Sequence, residues 1–456
     1  MAQPRWCVPS RISIRAPKLK RETFATSRLL EFCSEKELVA QTGTPVKDWS
    51  IYLLKEMIDN ALDACEETGR VPEVSIEVAD GKIVIADNGP GIQTDTVKRI
   101  LDFSIRVSSR EAYVSPTRGA QGNALKTVLA MPFALDGSLG RVVIEAHQIA
   151  HDIRFRVDQV RQEPKLAHSC AASPVSMGTR ITVFWPDSAS SILVGAKARF
   201  LQIADDFCWL NPHLTLKASW DGTQVINVTA TNPNWSKWRP SDPTSPHWYT
   251  PARLERLIAA YVGHDEDNGR ERMVREFVSE FRGLSGSAKQ KAVLDKTQLS
   301  RAALSSLCRD DDLDHKTIAV LLDAMKAHSK EIDPKLIGVI GKQHIERCCG
   351  VAGAEMESFT YNRHYQAANG IPFIIEVGFA WCPNNEQRRL ITGVNWSPGI
   401  SNPFRELGQH AASLDAELAE LRAGPNEPVI SLIHVASPRV EYRDRGKSSV
   451  HFGGEP

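Results

Sequence analysis

Between Leu53 and Cys65 the apolar residues Leu53, Leu54, Met57, Ile58, Ala61, Leu62 and Cys65 recur at spacings of three and four, with no Gly or Pro between them. That period predicts a helix. The pattern then alternates: SIEV and KIVIA, joined at Asp80-Gly81, predict a β-hairpin that ends at Asp87-Asn88-Gly89-Pro90-Gly91. A helix capped by Thr94 is expected through Leu101, then a Ser- and Arg-rich loop, then Gly119 and Gly122 ahead of the apolar run Ala124, Leu125, Val128, Leu129. GRVVIEAH, DIRFRVDQV and GTRITVFW read as strands completing a mixed sheet with helices on one face. ARFLQIADDFCWLNPHLTLKASW closes this unit with a helix and a strand near residue 220.

The flanks divide the chain further. Residues 1–20 form a basic arm in which Arg11, Arg15, Lys18 and Lys20 are either a solvated tail or contacts to DNA; residues 22–40 read as one helix with Leu29, Leu30, Phe32 and Cys33 inward. From 244 to 333 the pattern is helical, with Leu254, Leu257, Ile258, Tyr261, Val274, Phe277 and Phe281 forming a small bundle. Gly283 and Gly286 interrupt it, and Lys289 and Lys291 follow, so this basic hairpin is either a plain bundle or a DNA contact. Asp310, Asp311 and Asp312 read as a solvated run at a helix start rather than a metal cluster. From 334 to 456 three strands (NGIPFIIEVGFAW, RRLITGVNWSP, EPVISLIHVASPRVEY) accompany one helix, with Ala411, Leu414, Leu418 and Leu421 on its apolar side.

Length and composition narrow the class without naming a substrate. The chain has 456 residues, a formal charge of zero and 24% charged residues. It fits a multidomain soluble protein without a global basic field, so any DNA contact must be a local patch. The nine cysteines lack CxxC pairing and indicate neither a zinc site nor a disulfide framework. The histidines are scattered without ligand spacing and receive no role. No signal peptide or transmembrane run is apparent, and a cytoplasmic location is expected.

The chemistry concentrates in the first unit. Glu56 and Asn60 stand four apart, so both leave one face of the predicted helix. A carboxylate and a carboxamide stacked in this way suit hydrated Mg²⁺. Gly89 and Gly91 let a ligand approach the backbone, and Asp87 can accept hydrogen bonds from an exocyclic amine. The Gly119–Gly122 loop opens a helix and offers backbone N–H groups to phosphate, with Lys126 in the first turns. Singly, each motif also has a bland reading as a surface helix, a turn or a loop.

In this order and at these separations, the motifs resemble the GHKL ATPases, the superfamily of gyrase, the heat-shock clamp chaperones, histidine kinases and MutL. The resemblance implies a Bergerat-type α/β sandwich that binds ATP and Mg²⁺. Glu56 would be the general base, Asn60 the magnesium ligand and Asp87 the partner of the adenine amine. Gly89 and Gly91 would lie against the nucleotide, while Gly119, Gln121, Gly122, Asn123 and Lys126 would form the phosphate lid. Gly178-Thr179 would support Asp87 through the threonine hydroxyl.

The later units narrow the resemblance to the B subunit of DNA topoisomerase VI. It implies a GHKL domain over 21–243, a helix-two-turn-helix-like domain over 244–333 and an α/β transducer domain over 334–456. Lys447 in the RDRGKSSVHF loop would reach the γ-phosphate. Two departures stand out: Asn123-Ala124 follow Gly122 where the family carries a further glycine, and the chain ends nine residues after Lys447. No catalytic tyrosine context or toprim-like acidic pair is visible.

The expectation is an ATP-gated homodimeric clamp on duplex DNA, with cleavage left to a toprim and winged-helix partner. Two alternatives remain open: a stand-alone clamp in DNA maintenance or phage defence, and a nucleotide-gated scaffold without turnover. A histidine kinase is disfavoured, since no dimerisation helix bearing a phosphoacceptor His precedes the site.

Overall fold

The computed structural model describes residues 34–101, 113–118, 124–158, 163–309, 312–405, 413–442 and 449–451. The first unit contains α1 (Glu35–Thr42), α2 (Trp49–Glu67), α3 (Thr94–Ile100), α4 (Ala124–Asp136) and α5 (Ser190–Leu210). Its strands are β1 (Glu73–Ala79), β2 (Lys82–Asp87), β3 (Gly140–Ala146), β4 (Ile149–Asp158), β5 (Glu163–Ala172), β6 (Arg180–Phe184), β7 (Thr215–Trp220) and β8 (Thr223–Val228). They make one eight-stranded sheet in the order β5-β4-β3-β6-β2-β1-β7-β8. Every neighbouring pair is antiparallel except β1 with β7.

Alternation sets the inner face: Val74, Ile76 and Val78 on β1, Ile83 and Ile85 on β2, and Ile153 and Phe155 on β4 all point into one core with α2, α4 and α5. The β1–β2 turn forms at Asp80-Gly81, both with positive φ (50° and 66°), as the turn dipeptide requires.

The second unit is helical, with α6 (Pro251–Asp267), α7 (Val274–Ser279), α8 (Ser287–Thr297) and α9 (His315–Ala327), plus a short hairpin of β9 (Cys308–Arg309) and β10 (Asp312–Leu313). Leu254, Leu257, Ile258, Val274, Phe277 and Phe281 are buried in one core. The third unit holds α10 (Lys342–Val351), β11 (Thr360–Ala368), β12 (Ile371–Trp381), β13 (Arg389–Val394), β14 (Ser397–Pro398), α11 (Leu414–Glu420) and β15 (Val429–Ala436). Its sheet runs β11-β12-β15-β13-β14, with β13 and β15 parallel. A separate pair, β16 (Glu441–Tyr442) and β17 (Val450–His451), follows.

Several expectations change. The helix expected over 22–40 begins only at Glu35, because Ser34 sits in extended backbone and caps it by accepting from Glu37 N–H at 3.3 Å; residues 22–33 lie outside the described part. Thr94 is the first residue of α3 rather than its cap, which is Gln93. The strands β5, β8 and β11 and helix α10 escaped the pattern. β5 and β8 are largely exposed edge strands without clean alternation, which removes the periodic signal. Leu421 does not join an apolar face: it lies past the end of α11 and is 76% exposed. Ala411 lies outside the described residues. Of the acidic run, Asp312 is exposed at the start of β10, and Asp310 and Asp311 lie outside the described residues; beyond the run, Asp314 caps α9 by accepting from Thr317 N–H at 3.0 Å.

Candidate nucleotide site

Helix α2 is buried almost all round. What remains open is the stripe Tyr52, Glu56, Asn60 and Ala64, spaced four apart, with Asn60 exposed and Glu56 half-buried. From Tyr52 to Ala64 the stripe runs about 18 Å along the helix. Other polar side chains of the helix, Lys55, Asp59, Asp63 and Glu66, are buried and already held in ion pairs, which leaves Glu56 and Asn60 facing outward.

The turn after β2 docks on the Ala64 end. A Cβ on Gly89 would lie 3.4 Å from Cys65 Sγ and 3.6 Å from Ala64 Cβ, and 2.9 Å from Asp87 Oδ1. Arg70 holds the turn by donating to the carbonyls of Asn88 at 3.0 Å and Gly89 at 2.9 Å. Asp87 Oδ1 accepts from the backbone N–H of Gly89 at 2.8 Å and of Thr179 at 3.2 Å. No described residue bonds its Oδ2. Burial pushes the Asp87 carboxyl above its ordinary value, against those two N–H donors. Thr179 therefore meets Asp87 through its main-chain N–H.

Gly178 makes this possible: with φ +75°, a Cβ there would sit 1.8 Å from the Asp87 carbonyl oxygen. Gly91 has φ +86°, and its Cβ would meet the Gly178 carbonyl and His147 Nε2, each at 3.0 Å.

At the other end of the stripe Tyr52 hydrogen-bonds the side chain of Thr127 in the first turns of α4, and burial with the nearby Glu56 charge raises its pKa. Lys126 is buried rather than open to solvent. Lys55 donates to Asp59 at 2.8 Å; burial works against its ammonium, but Asp59 and Glu56 more than offset this and hold its pKa above the ordinary value. Gly119, Gln121, Gly122, Asn123 and Lys447 lie outside the described residues.

Segment 113–118 leads toward the glycine-bearing stretch 119–123, and all three units grip it. Val114 N–H donates to Tyr249 Oη at 2.9 Å, and Thr244 Oγ1 donates to the Val114 carbonyl at 2.7 Å, both from the approach to the helical unit. Asn395, in the β13–β14 turn, donates to the Thr117 carbonyl at 3.2 Å. Arg118 is buried and forks to Asp63 at 2.8 Å, Glu66 at 2.8 and 2.6 Å, and Asn211 at 2.6 Å. Glu66 also meets Lys237 at 2.9 Å and His213 at 3.0 Å. Burial opposes the Glu66 charge, yet Arg118 and Lys237 outweigh it and hold the carboxyl well below its ordinary pKa. None of Arg118, Asn395 or Lys237 was signalled by motif or spacing.

The residues present fit a nucleotide and a magnesium ion. Asn60 offers an exposed oxygen donor one turn from Glu56, Asp87 keeps an oxygen open to an amine, and Gly89 has no room for a side chain.

Residues 47–189 match the family described as histidine kinase-, DNA gyrase B- and HSP90-like ATPase. The chain is similar to the B subunit of type 2 DNA topoisomerase 6 from Archaeoglobus fulgidus, 22% identical over 441 residues, covering 92% of this chain and 69% of that protein. It is likewise 22% identical over 424 residues to the corresponding protein of Methanosarcina mazei, covering 88% of this chain and 64% of that protein. The chain thus spans about two thirds of the length of these relatives. A solved structure, "Aquifex aeolicus MutL ATPase domain complexed with ADP", aligns with a TM-score of 0.34 and 10% identity over 86% of this chain and 91% of that one, too loose to bear on any residue here. The chain carries a GHKL-type ATPase domain and resembles the topoisomerase VI B subunit. Among the described residues no helix is long and apolar enough to cross a membrane.

Proposed function

We propose that this chain, a GHKL-type ATPase resembling the topoisomerase VI B subunit, is the ATP-binding and hydrolysing subunit of a topoisomerase VI-like assembly and works as an ATP-gated dimeric clamp on duplex DNA. The observation that carries the reading is the open Glu56–Asn60 stripe of a buried helix, with the Asp87–Gly89 turn docked at one end and the start of α4 at the other. Asp87 orients the adenine amine, and Gly89 and Gly91 let the base and sugar lie on the backbone. Glu56 takes the proton of the attacking water, and Asn60 holds the magnesium ion. That ion, when bound, supplies charge neutralisation across the phosphates.

The helical unit is the helix-two-turn-helix-like domain of the reading, and the third unit is its transducer. Its β13–β14 turn presses on segment 113–118, and Lys447 reaches the γ-phosphate from the loop that precedes β17. Nucleotide state then sets how this unit docks, and ATP closes two subunits around DNA. Strand cleavage belongs to a toprim and winged-helix partner.

The test is ATP turnover by the purified chain and by Glu56→Ala, with and without duplex DNA, alongside dimerisation with a non-hydrolysable analogue. DNA-stimulated turnover lost in the variant, with analogue-induced dimers, is expected. Nucleotide bound without turnover in the unaltered chain would replace the motor with a nucleotide-gated scaffold.

A further inference from the structure

Strands β4 and β5 pair antiparallel with His151 opposite Cys170 and Ile153 opposite His168. His168 and Cys170 stand two apart on β5, so both leave the same face of the sheet as His151. Their donor atoms converge. His151 Nδ1 lies 3.0 Å from His168 Nε2 and 3.4 Å from Cys170 Sγ, and 3.6 Å separates Sγ from His168 Nε2. Among the described residues this is the group of His, Cys or acidic side chains whose ligand atoms all fall within 4.8 Å of one another.

We propose that His151, His168 and Cys170 form a site for a zinc-type divalent ion, with the fourth position open to water. With bonds of about 2.0–2.1 Å to nitrogen and about 2.3 Å to sulfur, tetrahedral geometry sets ligand atoms about 3.3 Å (N–N) and about 3.5 Å (N–S) apart. The observed separations lie within about 0.3 Å of those values. A hydrogen bond between the two stacked rings, whose centroids are 5.2 Å apart, accounts for the first separation alone. The thiol also stands at a similar distance from both nitrogens, where a third ligand would stand.

The nitrogen and thiolate donor set selects zinc over magnesium or calcium, which take oxygen ligands. The site is thus chemically separate from the magnesium position at Asn60. His151 is buried, while His168 and Cys170 are exposed, so an ion enters from solvent and is held against a fixed imidazole. Burial, then the neighbouring His168 and, least, Lys98 on α3 disfavour a charged His151 ring, which suits a neutral ligand. The Lys98 head group is largely in solvent beside Asp95 at 3.7 Å, where water and that carboxylate screen it.

The ion would staple the edge strand β5 to β4. The turn before β4 carries His147, which contacts Gln93 at 3.1 Å, so the same strand leads toward the Gly91 loop.

The experiment strips the full chain with chelator, titrates Zn²⁺ against a competing indicator and records the visible spectrum with Co²⁺. One zinc per chain is expected, with tetrahedral cobalt bands and a sulfur-to-cobalt charge-transfer band that disappears in Cys170→Ser. His168→Ala is expected to weaken zinc binding by more than about tenfold. Both substituted positions are exposed, so the variants keep the fold. Zinc binding unchanged in both variants, a six-coordinate cobalt spectrum, or no zinc retained would each overturn the site.

Discussion

Ser397 donates its hydroxyl to Asp59 Oδ2 across 2.7 Å, although 338 positions separate the two residues in the chain. Asp59 lies between Glu56 and Asn60 on α2, shares that oxygen with Lys55, and keeps Oδ1 buried without a partner among the described residues. The β14 end of the third unit therefore touches the helical turn that bears Glu56 and Asn60, the proposed base and magnesium ligand. Ser397→Ala should cost about 1 kcal/mol of stability, the usual worth of one such bond. It should slow ATP turnover while changing nucleotide affinity less than about threefold, as for a contact felt in closure rather than binding. Steady-state kinetics and equilibrium nucleotide binding check this, and an unchanged kcat would leave the contact with no part in turnover.

Two glycines with the same φ of +75° separate backbone strain from steric need. Gly222 has open space where a Cβ would stand, whereas a Cβ on Gly178 would overlap the Asp87 carbonyl. Gly222→Ala should therefore cost about 1 kcal/mol and spare nucleotide binding. Gly178→Ala must displace Asp87 and should abolish measurable ATP binding. Isothermal titration on the two variants distinguishes the cases.

Removing Arg118 leaves Glu66 and Asp63 with less positive charge in a buried setting. Arg118→Ala should cost about 3–5 kcal/mol in urea unfolding. Arg118→Lys should recover only part of this, because one ammonium cannot fork to Asp63, Glu66 and Asn211 together.

His344 on α10 joins the third unit to the first. Its Nε2 lies 3.0 and 3.1 Å from the carbonyls of Cys208 and Trp209, and its Nδ1 lies 2.5 Å from Thr231 Oγ1. Burial depresses its pKa from 6.5 to about 4, against the two carbonyls that favour the charged ring. The folded value lies below the unfolded one, so the neutral ring stabilises the fold fully above pH 6.5, and this contribution is lost as pH falls toward 4. Between pH 7.5 and 5 the wild type should lose about 2 kcal/mol more than His344→Gln. Urea midpoints of the two proteins at both pH values give the difference directly.

The sequence alone was enough to place the α2 helix, the β1–β2 hairpin with its Asp-Gly turn, and several helix and strand runs of the later units, though not α10 or β11. Those signals are local: side-chain period, turn dipeptides and glycine-rich loops act within a few residues. The Glu56–Asn60 stripe was legible for the same reason, since i and i+4 meet on any helix. The edge strands β5 and β8 were not, because they are largely exposed and carry no clean period.

Only the tertiary structure decided which distant groups meet. Arg118 reaches Glu66 and Asn211, Asn395 reaches Thr117, and Ser397 reaches Asp59, through the docking of separate units. His151, His168 and Cys170 lack ligand spacing in the chain; the β4–β5 register brings them together. Register and docking are fixed by how whole faces bury against one another, and a one-residue shift in a strand would send its side chains to the opposite face.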